Sequence, residues 1–385
     1  MEDSSLTDPT LPTELITEIL SRLPVKTLVR FRSVSKSWLA LVSSPEFVKT
    51  HLSVSANNKD YTHHRLVLTA GGNIFSSREI DYFLRDCSLS SLRNDSVTEA
   101  FRLNYPMNKP HKSVTVVGSV NGLICLAIDD IDLFLWNPSV RRYKNLPHPR
   151  PTVYHFGWFK YGFGYDESND DYKIVGIFRN HDNERLHHVE IKIYSLKSNS
   201  WRSKSDIPDE MRFFETGKFV NGKLHWAGEL HWPNNWAFHK NWNIISIDLA
   251  DEKWGKVEQP RYVEVDFCLE LGVLGSDLSM IWKYSVSHAD VWVMREYGVK
   301  ESWTKMYTVK YPSYVYSSFI DPTLCMSNKG EILLVPGSTL MVRNPDYELI
   351  RYPKIVNFHS CVAADVYVES LVVPYYRTNQ AHNKN

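Results

Sequence analysis

Histidine is the residue whose clustering first suggests chemistry in this chain. His187 and His188 are adjacent, and His225, His231 and His239 fall within or beside the tryptophan-rich run HWAGELHWPNNWAFHKNW. Imidazoles bind metals and move protons, but metal ligands must converge on one side of an element. These spacings fit neither one face of a helix nor a compact zinc knuckle, so no metal site is expected. The acidic group Asp166, Glu167, Asp170 and Asp171 likewise reads as a solvated connecting loop, not as a cation site or a general-acid pair. A complete phosphate-loop signature, G-x-x-x-x-G-K-[ST], does not occur, nor do G-x-S-x-G and H-E-x-x-H. The glycines of GWFKYGFGYDES (157–168) lie among aromatic strand residues and precede no helix, which argues against phosphate binding. No cofactor is expected.

The elements that would have to position such residues fall into two regions. The 385 residues exceed the size at which one hydrophobic core stops growing, so a small module plus a large domain or a repeat is expected. Lys and Arg number 44, as do Asp and Glu, so no overall field draws in nucleic acid or an anionic membrane. The basic run Lys26, Arg30, Arg32, Lys36 is read as a solvated face for the same reason. Five scattered cysteines without a C-x-x-C pair suit reduced thiols, and no run reaches the eighteen or so apolar residues of a membrane span. The acidic Glu2 and Asp3 do not suit a secretory leader, so cytoplasm or nucleus is the expected location.

Residues 11–51 are periodic at helical spacing. Leu15, Ile19 and Leu23 stand at i, i+4, i+8, with Ile16 and Leu20 in the adjacent row. Pro12 suits a first helical turn, and Pro24 stops that helix. Helices over 25–34 and 35–43 follow, and Pro45 starts one more turn to His51. Such a bundle is near the lower limit for folding alone and calls for a partner over its apolar face.

After residue 60 the pattern is β-type. Aromatic residues make up 13% of the chain, a composition that suits pleated surfaces. One unit, a strand, a polar turn and a second aromatic strand, recurs around Trp136, Tyr194, Asp248, Trp292 and Val342, at steps of 58, 54, 44 and 50 residues. That spacing is typical of four-stranded propeller blades. VGSVNGLICL and GKFVNGKLHW each place Asn-Gly between apolar strands, a strong hairpin signal. Six blades are favoured, seven the alternative, with the last built from both ends of the repeat region.

The residues of the first region carry a resemblance. Leu11-Pro12 with Leu15, Ile19 and Leu20, then RLPVKTL (22–28) and VSKSW (34–38), resemble an F-box of the plant type. NGLICL, LWNPSVRRYKNLP and FGYDESNDDYKIV resemble the F-box-associated domain of the kelch-like and S-locus F-box proteins. The expected fold is thus α+β and multidomain: a three-helix F-box over 8–52, a linker over 53–64, an all-β propeller over 65–376 and a disordered tail over 377–385. The resemblance implies that the helices dock a Skp-type adaptor and, through it, a cullin and a RING protein, while the propeller captures a target for ubiquitination. It assigns adaptor contact to Leu11, Pro12, Leu15, Ile19, Leu20, Leu23, Pro24, Leu28, Val34 and Trp38, about half of which would pack within the bundle instead.

Two long inserts, FRNHDNERLHHVE (178–190) and GELHWPNNWAFHKN (228–241), are candidates for reading the target, through His187, His188, Trp232, Trp236 and His239. Equally, Trp232 and Trp236 would fold back on their own blade. The rival reading is a propeller enzyme or small-ligand binder, which demands carboxylates or histidines facing the axis. The repeat unit shows mostly aromatic and aliphatic residues there, so the chain is expected to be a non-catalytic receptor.

Overall fold

The computed structural model describes residues 11–71, 82–94, 97–106, 112–151, 158–179, 189–205, 211–213, 215–230, 242–260, 267–284, 288–310, 320–326, 331–336, 340–344, 349–358 and 363–375. Four helices come first: α1 (Thr13–Ser21), α2 (Val25–Phe31), α3 (Lys36–Ser43) and α4 (Pro45–Ala56). Pro12 and Pro24 each occupy the residue before a helix, at φ −52° and −59°. The Ser35 hydroxyl accepts from the Trp38 amide at 3.1 Å, and that of Ser44 accepts from the Phe47 amide at 3.2 Å, so each serine caps the helix it precedes.

The last helix is longer than the single turn expected after Pro45. Phe47, His51 and Ser55 recur every four residues on its buried side. Because two of the three are polar, their period escapes a hydrophobic pattern, and α4 runs into the span expected to be linker.

Among the described residues the strands form six sheets of four or five antiparallel strands, numbered I to VI, and one parallel pair. Sheet I joins Ala363–Val368 to His64–Gly71, Tyr82–Ser88 and Phe101–Arg102, and so closes the ring with strands from both ends of the domain. Sheets II to VI are contiguous in sequence; the first strands of II, III, V and VI are Val114–Val120, Trp158–Asp166, Phe267–Leu274 and Ile320–Met326, and that of sheet IV is in two pieces, Met211–Phe213 and Lys218–Val220, both paired with Lys223–Leu230. These first strands, with Ala363–Val368, pack each on the next around a closed circle. Trp136, Tyr194, Asp248, Trp292 and Val342, the repeat points, all lie on third strands. A short helix α5 (Leu89–Asn94) and a parallel pair, Val97–Glu99 with Lys354–Val356, sit beside sheet I.

Period-two alternation gives each sheet two buried faces. In sheet I, Leu66 and Leu68 pack against Leu333 and Val342 of sheet VI, whereas Val67 faces Ile124 and Leu126 of sheet II. In sheet III, Ile174 faces sheet II and Val175 with Ile177 face Trp226 and Ile245 of sheet IV. Burying both faces explains the near-continuous apolar strands such as Leu123–Ile128, every residue of which is buried.

Both Asn-Gly turns have positive φ at both positions: 55° and 79° at Asn121 and Gly122, 50° and 73° at Asn221 and Gly222. This is the type I′ geometry that the hairpin motif demands. Gly217 to Lys223 also has the glycine and lysine spacing of a phosphate loop, but no helix follows it. Gly217 instead forms a bridge with Gly162, where a Cβ on either would meet the Trp226 ring at 2.5 or 2.7 Å.

The acidic group at the first turn of sheet III is only half solvated, contrary to expectation. Asp166 is buried and pairs with Lys173 at 2.9 Å; Asp171 is buried and accepts the Lys197 amide at 2.9 Å. Lys173 also reaches Glu252 at 3.2 Å, so these charges tie sheet III to sheet IV. Burial opposes the ionisation of Asp166, but hydrogen bonds from Asn169 and Lys173 outweigh it and its carboxyl titrates lower than usual.

Candidate docking site

The four helices bury one side and expose the other. Leu20, Val25, Leu28, Val42 and Phe47 form their core. Leu371, just past the closing strand, completes that core, and Val140, from the last turn of sheet II, packs against it. Leu11, Leu15, Ile19 and Val34 are 58%, 47%, 54% and 62% exposed, far from the usual fate of large aliphatic residues that have no partner.

Of the ten expected contact residues, Leu11, Pro12, Leu15, Ile19, Pro24 and Val34 are exposed, and Leu23 and Trp38 are half-buried. Trp38 stacks edge-on against Phe31, with ring centres 5.2 Å apart. Leu20 and Leu28 are buried in the bundle core and belong to its packing. The reason is angular: successive helical residues lie about 100° apart, so Leu20 turns away from the Leu15–Ile19 row. Sequence reasoning passed over Val29 and Leu39, 39% and 46% exposed beside buried or half-buried neighbours. Their signal was apolar type alone, which does not separate core from surface.

Two histidines hold the end of α1, one from within the helical module and one from just before the strand His64–Gly71 of sheet I. His51 on α4 hydrogen-bonds the Leu23 carbonyl at 2.9 Å, and His63 bonds that of Arg22, so both hold the end of α1. Their rings meet edge to face at 6.0 Å, and the Glu369 amide donates to the His63 carbonyl at 2.8 Å. Burial lowers the pKa of His51 and His63, and that of adjacent His64 to about 4, so all three are neutral at pH 7. A second tie runs from Asn137, whose amide donates to the Ser370 and Val372 carbonyls at 3.0 and 2.7 Å.

His225, one of the clustered histidines, is wholly buried and engaged by the Tyr297 hydroxyl at 2.7 Å and the Lys218 carbonyl at 3.2 Å. Burial pushes it down to about 4, which leaves it a neutral packing residue. Among the described residues no group of His, Cys, Asp and Glu could hold a metal ion. His187, His188, Trp232, Trp236 and His239 lie outside the described residues. The inserts that carry them join the second to the third strand in adjacent sheets III and IV, between Arg179 and Val189 and between Leu230 and Trp242. These strand ends are opposite to the end that meets the helices, where the Val140, Gly122 and Leu371 turns lie.

The axis is the other departure from expectation. Glu215, Lys218, Glu270, Lys283 and Asp365 are disposed near it instead of the aromatic and aliphatic residues expected there, and Lys283 pairs with Glu270. Burial, reinforced by Glu270, pushes Glu215 up to about 8, and the two carboxyls share a hydrogen bond. The residues come from three sheets, I, IV and V, so no local motif announced them.

A small helical module packed on one end of a β-propeller is a two-part architecture, and comparison with known proteins gives it a family. The profile of the F-box domain matches residues 9–50, and that of the F-box associated beta propeller domain matches 79–373. The chain belongs to the F-box proteins with an associated β-propeller. It is 32% identical over 370 residues to an F-box/kelch-repeat protein of Arabidopsis thaliana, covering 94% of this chain and 96% of that one. It is also 32% identical over 392 residues to the F-box protein CPR1 of the same plant, covering 94% and 89%. Among solved structures, YjhT aligns with a TM-score of 0.42 and 11% identity over 65% of this chain and 86% of that one, too slight a likeness to bear on function. Among the described residues no helix is long and apolar enough to cross a membrane.

Proposed function

We propose that this protein is the substrate-recognition subunit of an SCF-type cullin-RING ubiquitin ligase, acting in the cytoplasm or nucleus. The observation that carries this reading is the exposure of Leu15 and Ile19 on α1, with Leu11 just before it and Val34 between α2 and α3, in a module whose buried core is completed by propeller residues. The helices dock a Skp-type adaptor and through it a cullin and a RING protein. The propeller holds the target protein, with His187, His188, Trp232, Trp236 and His239 on the inserts as proposed contacts. The strand ends that flank those inserts are on neighbouring sheets at the end away from the helices, which supports a reading face that docking leaves free.

No bond is made or broken by this chain in that role. Its contribution is to raise the local concentration of target lysines near a charged conjugating enzyme. The contacts of His63, Leu371 and Val140 with the helices support this, since a module held against the propeller keeps a bound target in one place.

Co-purification with a plant Skp-type protein tests the reading. The wild-type chain is expected to form a stable complex, and a Pro12→Ala, Leu15→Asp variant of equal thermal stability is expected to lose it. Equal retention by both would remove the docking role from this face.

A further inference from the structure

The docking role leaves one charged surface unused. Lys and Arg equal Asp and Glu over the whole chain, yet residues 138–151 hold four Lys or Arg and residues 196–205 hold three, with no Asp or Glu in either. These stretches carry the outermost strands of adjacent sheets, Arg142–Asn145 of sheet II and Ser200–Lys204 of sheet III. The Trp201 indole donates to the Pro147 carbonyl at 2.5 Å, and the Lys192 ammonium to that of Arg150 at 2.9 Å, so the two rims are in contact. The corresponding stretch of sheet IV, 249–258, has two lysines against three acids, so the segregation is not a general property of the sheets.

On the sheet III rim the charges are engaged: Arg202 pairs with Glu252, and Lys197 reaches the Asn169 carbonyl at 2.8 Å. On the sheet II rim, Arg141, Arg142, Lys144 and Arg150 meet no carboxylate within 4.0 Å among the described residues, and all but half-buried Lys144 are exposed. Register gives this edge its chemistry. Leu135 pairs with Lys144 and Asn137 with Arg142, and the Leu146 amide donates to the Leu133 carbonyl at 3.0 Å. In an antiparallel ladder, residues that exchange hydrogen bonds alternate with residues that do not. Arg142 and Lys144 therefore turn their amides and carbonyls toward the neighbouring strand. Tyr143 and Asn145 turn theirs outward, where no strand pairs with them among the described residues. The side chains of Arg142 and Lys144, two residues apart, share one face of the strand.

An edge with outward amides and carbonyls needs donors as well as acceptors, which a peptide backbone has and a row of phosphates lacks. Opposite charges directly across a strand pair stabilise it, and like charges do the reverse. We propose that the open edge Arg142–Asn145 binds an extended acidic segment of a partner protein as a fifth strand of sheet II, with carboxylates at alternate residues facing Arg142 and Lys144. Arg141 and Arg150 extend the charge match beyond the two ends of the strand. The edge begins at the Val140 turn, which packs against the helices, so the bound segment runs from there down the side of the propeller. The inference rests on the receptor reading for the segment's role as part of a target, and not for the binding itself.

Fluorescence anisotropy on the full chain, with a labelled peptide of alternating Glu and Thr, tests this. Saturable binding that weakens as salt is raised is expected, and the Gln-Thr analogue should bind at least about tenfold more weakly. N-methylation of one alternating set of amides, the set that faces the edge, should abolish binding, and N-methylation of the other set should spare it. A double variant, Arg142→Glu with Lys144→Glu, should weaken binding at least about tenfold while keeping its melting temperature and its capture by the adaptor. Lys253→Glu with Lys256→Glu, on the rim of sheet IV, should change it by less than about twofold. No binding, or equal binding by the Arg142 and Lys144 variant, overturns the proposal. Indifference to both methylations would reduce the contact to charge attraction and reject the added strand. Tighter binding of a single-stranded RNA of similar length, lost in the same variant, would assign the edge to nucleic acid and reject the peptide. Failure of adaptor capture by the wild type with peptide binding intact would count against the ligase reading alone.

Discussion

The helical module and the propeller bury opposite kinds of residue, and each departs from the usual rule. Leu11, Leu15, Ile19 and Val34 lie in water in the helical module, whereas Lys173, Lys283, Asp166 and Asp171 are buried in the propeller. A forty-residue bundle has too little interior to cover its own apolar surface, so the excess becomes an interface. A six-sheet ring has interior to spare, and can enclose charges provided they are paired or face the axis. The comparison teaches that unburied hydrocarbon marks an interface in the first region, whereas enclosed, paired charge ties strands and sheets together in the second.

The largest effects should come from breaking this contrast in the helices. Leu28 is fully buried and Leu15 nearly half exposed, although both are leucines of the same module. Leu28→Ala is expected to destabilise the protein by about 2 to 5 kcal/mol. Leu15→Ala should change stability by no more than about 0.5 kcal/mol yet weaken adaptor capture. Chemical denaturation beside a pull-down reads both, and equal behaviour of the two variants would erase the distinction between core and docking face.

Residue period explains why the helices were so legible and the propeller charges were not. Leu15 and Ile19 announce a helix face four residues apart, and Asn121-Gly122 and Asn221-Gly222 announce hairpins within two. The innermost strands carry Lys160, Lys218, Glu270 and Asp365 on four sheets, each in a mostly apolar strand where a lone charge looks like noise. The same blindness applied to Leu20 and Leu28: one row of a helix can be drawn from a sequence, but which row meets Leu371 and Val140 depends on a propeller segment more than 90 residues away. His51 and His63 were invisible as a joint because their partners are backbone carbonyls, which have no sequence signature.

That joint should fail on acidification. His51, His63 and His64 carry lowered pKa values in the folded protein, His64 near 4, against 6.5 in the unfolded chain. Above about pH 7 neither state binds the protons and stability is at its full value. As pH falls from 6.5 toward 4 the unfolded chain takes up protons that the folded one excludes, so stability declines. A fall in melting temperature on the order of 5 °C across that window is expected, with α1 losing hydrogen-exchange protection before the sheets. His51→Ala, which removes the bond to the Leu23 carbonyl, should cost about 1 to 3 kcal/mol and loosen α1 already at pH 7. If α1 and the sheets lost protection together, the histidines would not be the joint.

The smallest effect belongs to the axis, and its sign is opposite. Glu215 titrates near 8 when folded and near 4.5 when unfolded. Below pH 4.5 both states hold the proton, and between 4.5 and 8 only the folded state does, so this group's stabilising contribution is lost progressively as pH rises. Glu215→Gln keeps the shape and hydrogen-bonding capacity but cannot ionise. It should therefore match the wild type at pH 5 and melt about 2 to 4 °C higher at pH 8, measured by calorimetry on the full chain. Glu270→Gln makes the useful contrast, because it removes the same like-charge pressure while depriving buried Lys283 of its carboxylate, and so should lower the melting temperature at both pH values. A stabilising Glu270→Gln would mean that the axis tolerates an unpaired ammonium, and that the enclosed charges of the propeller are less exacting than the exposed leucines of the helices.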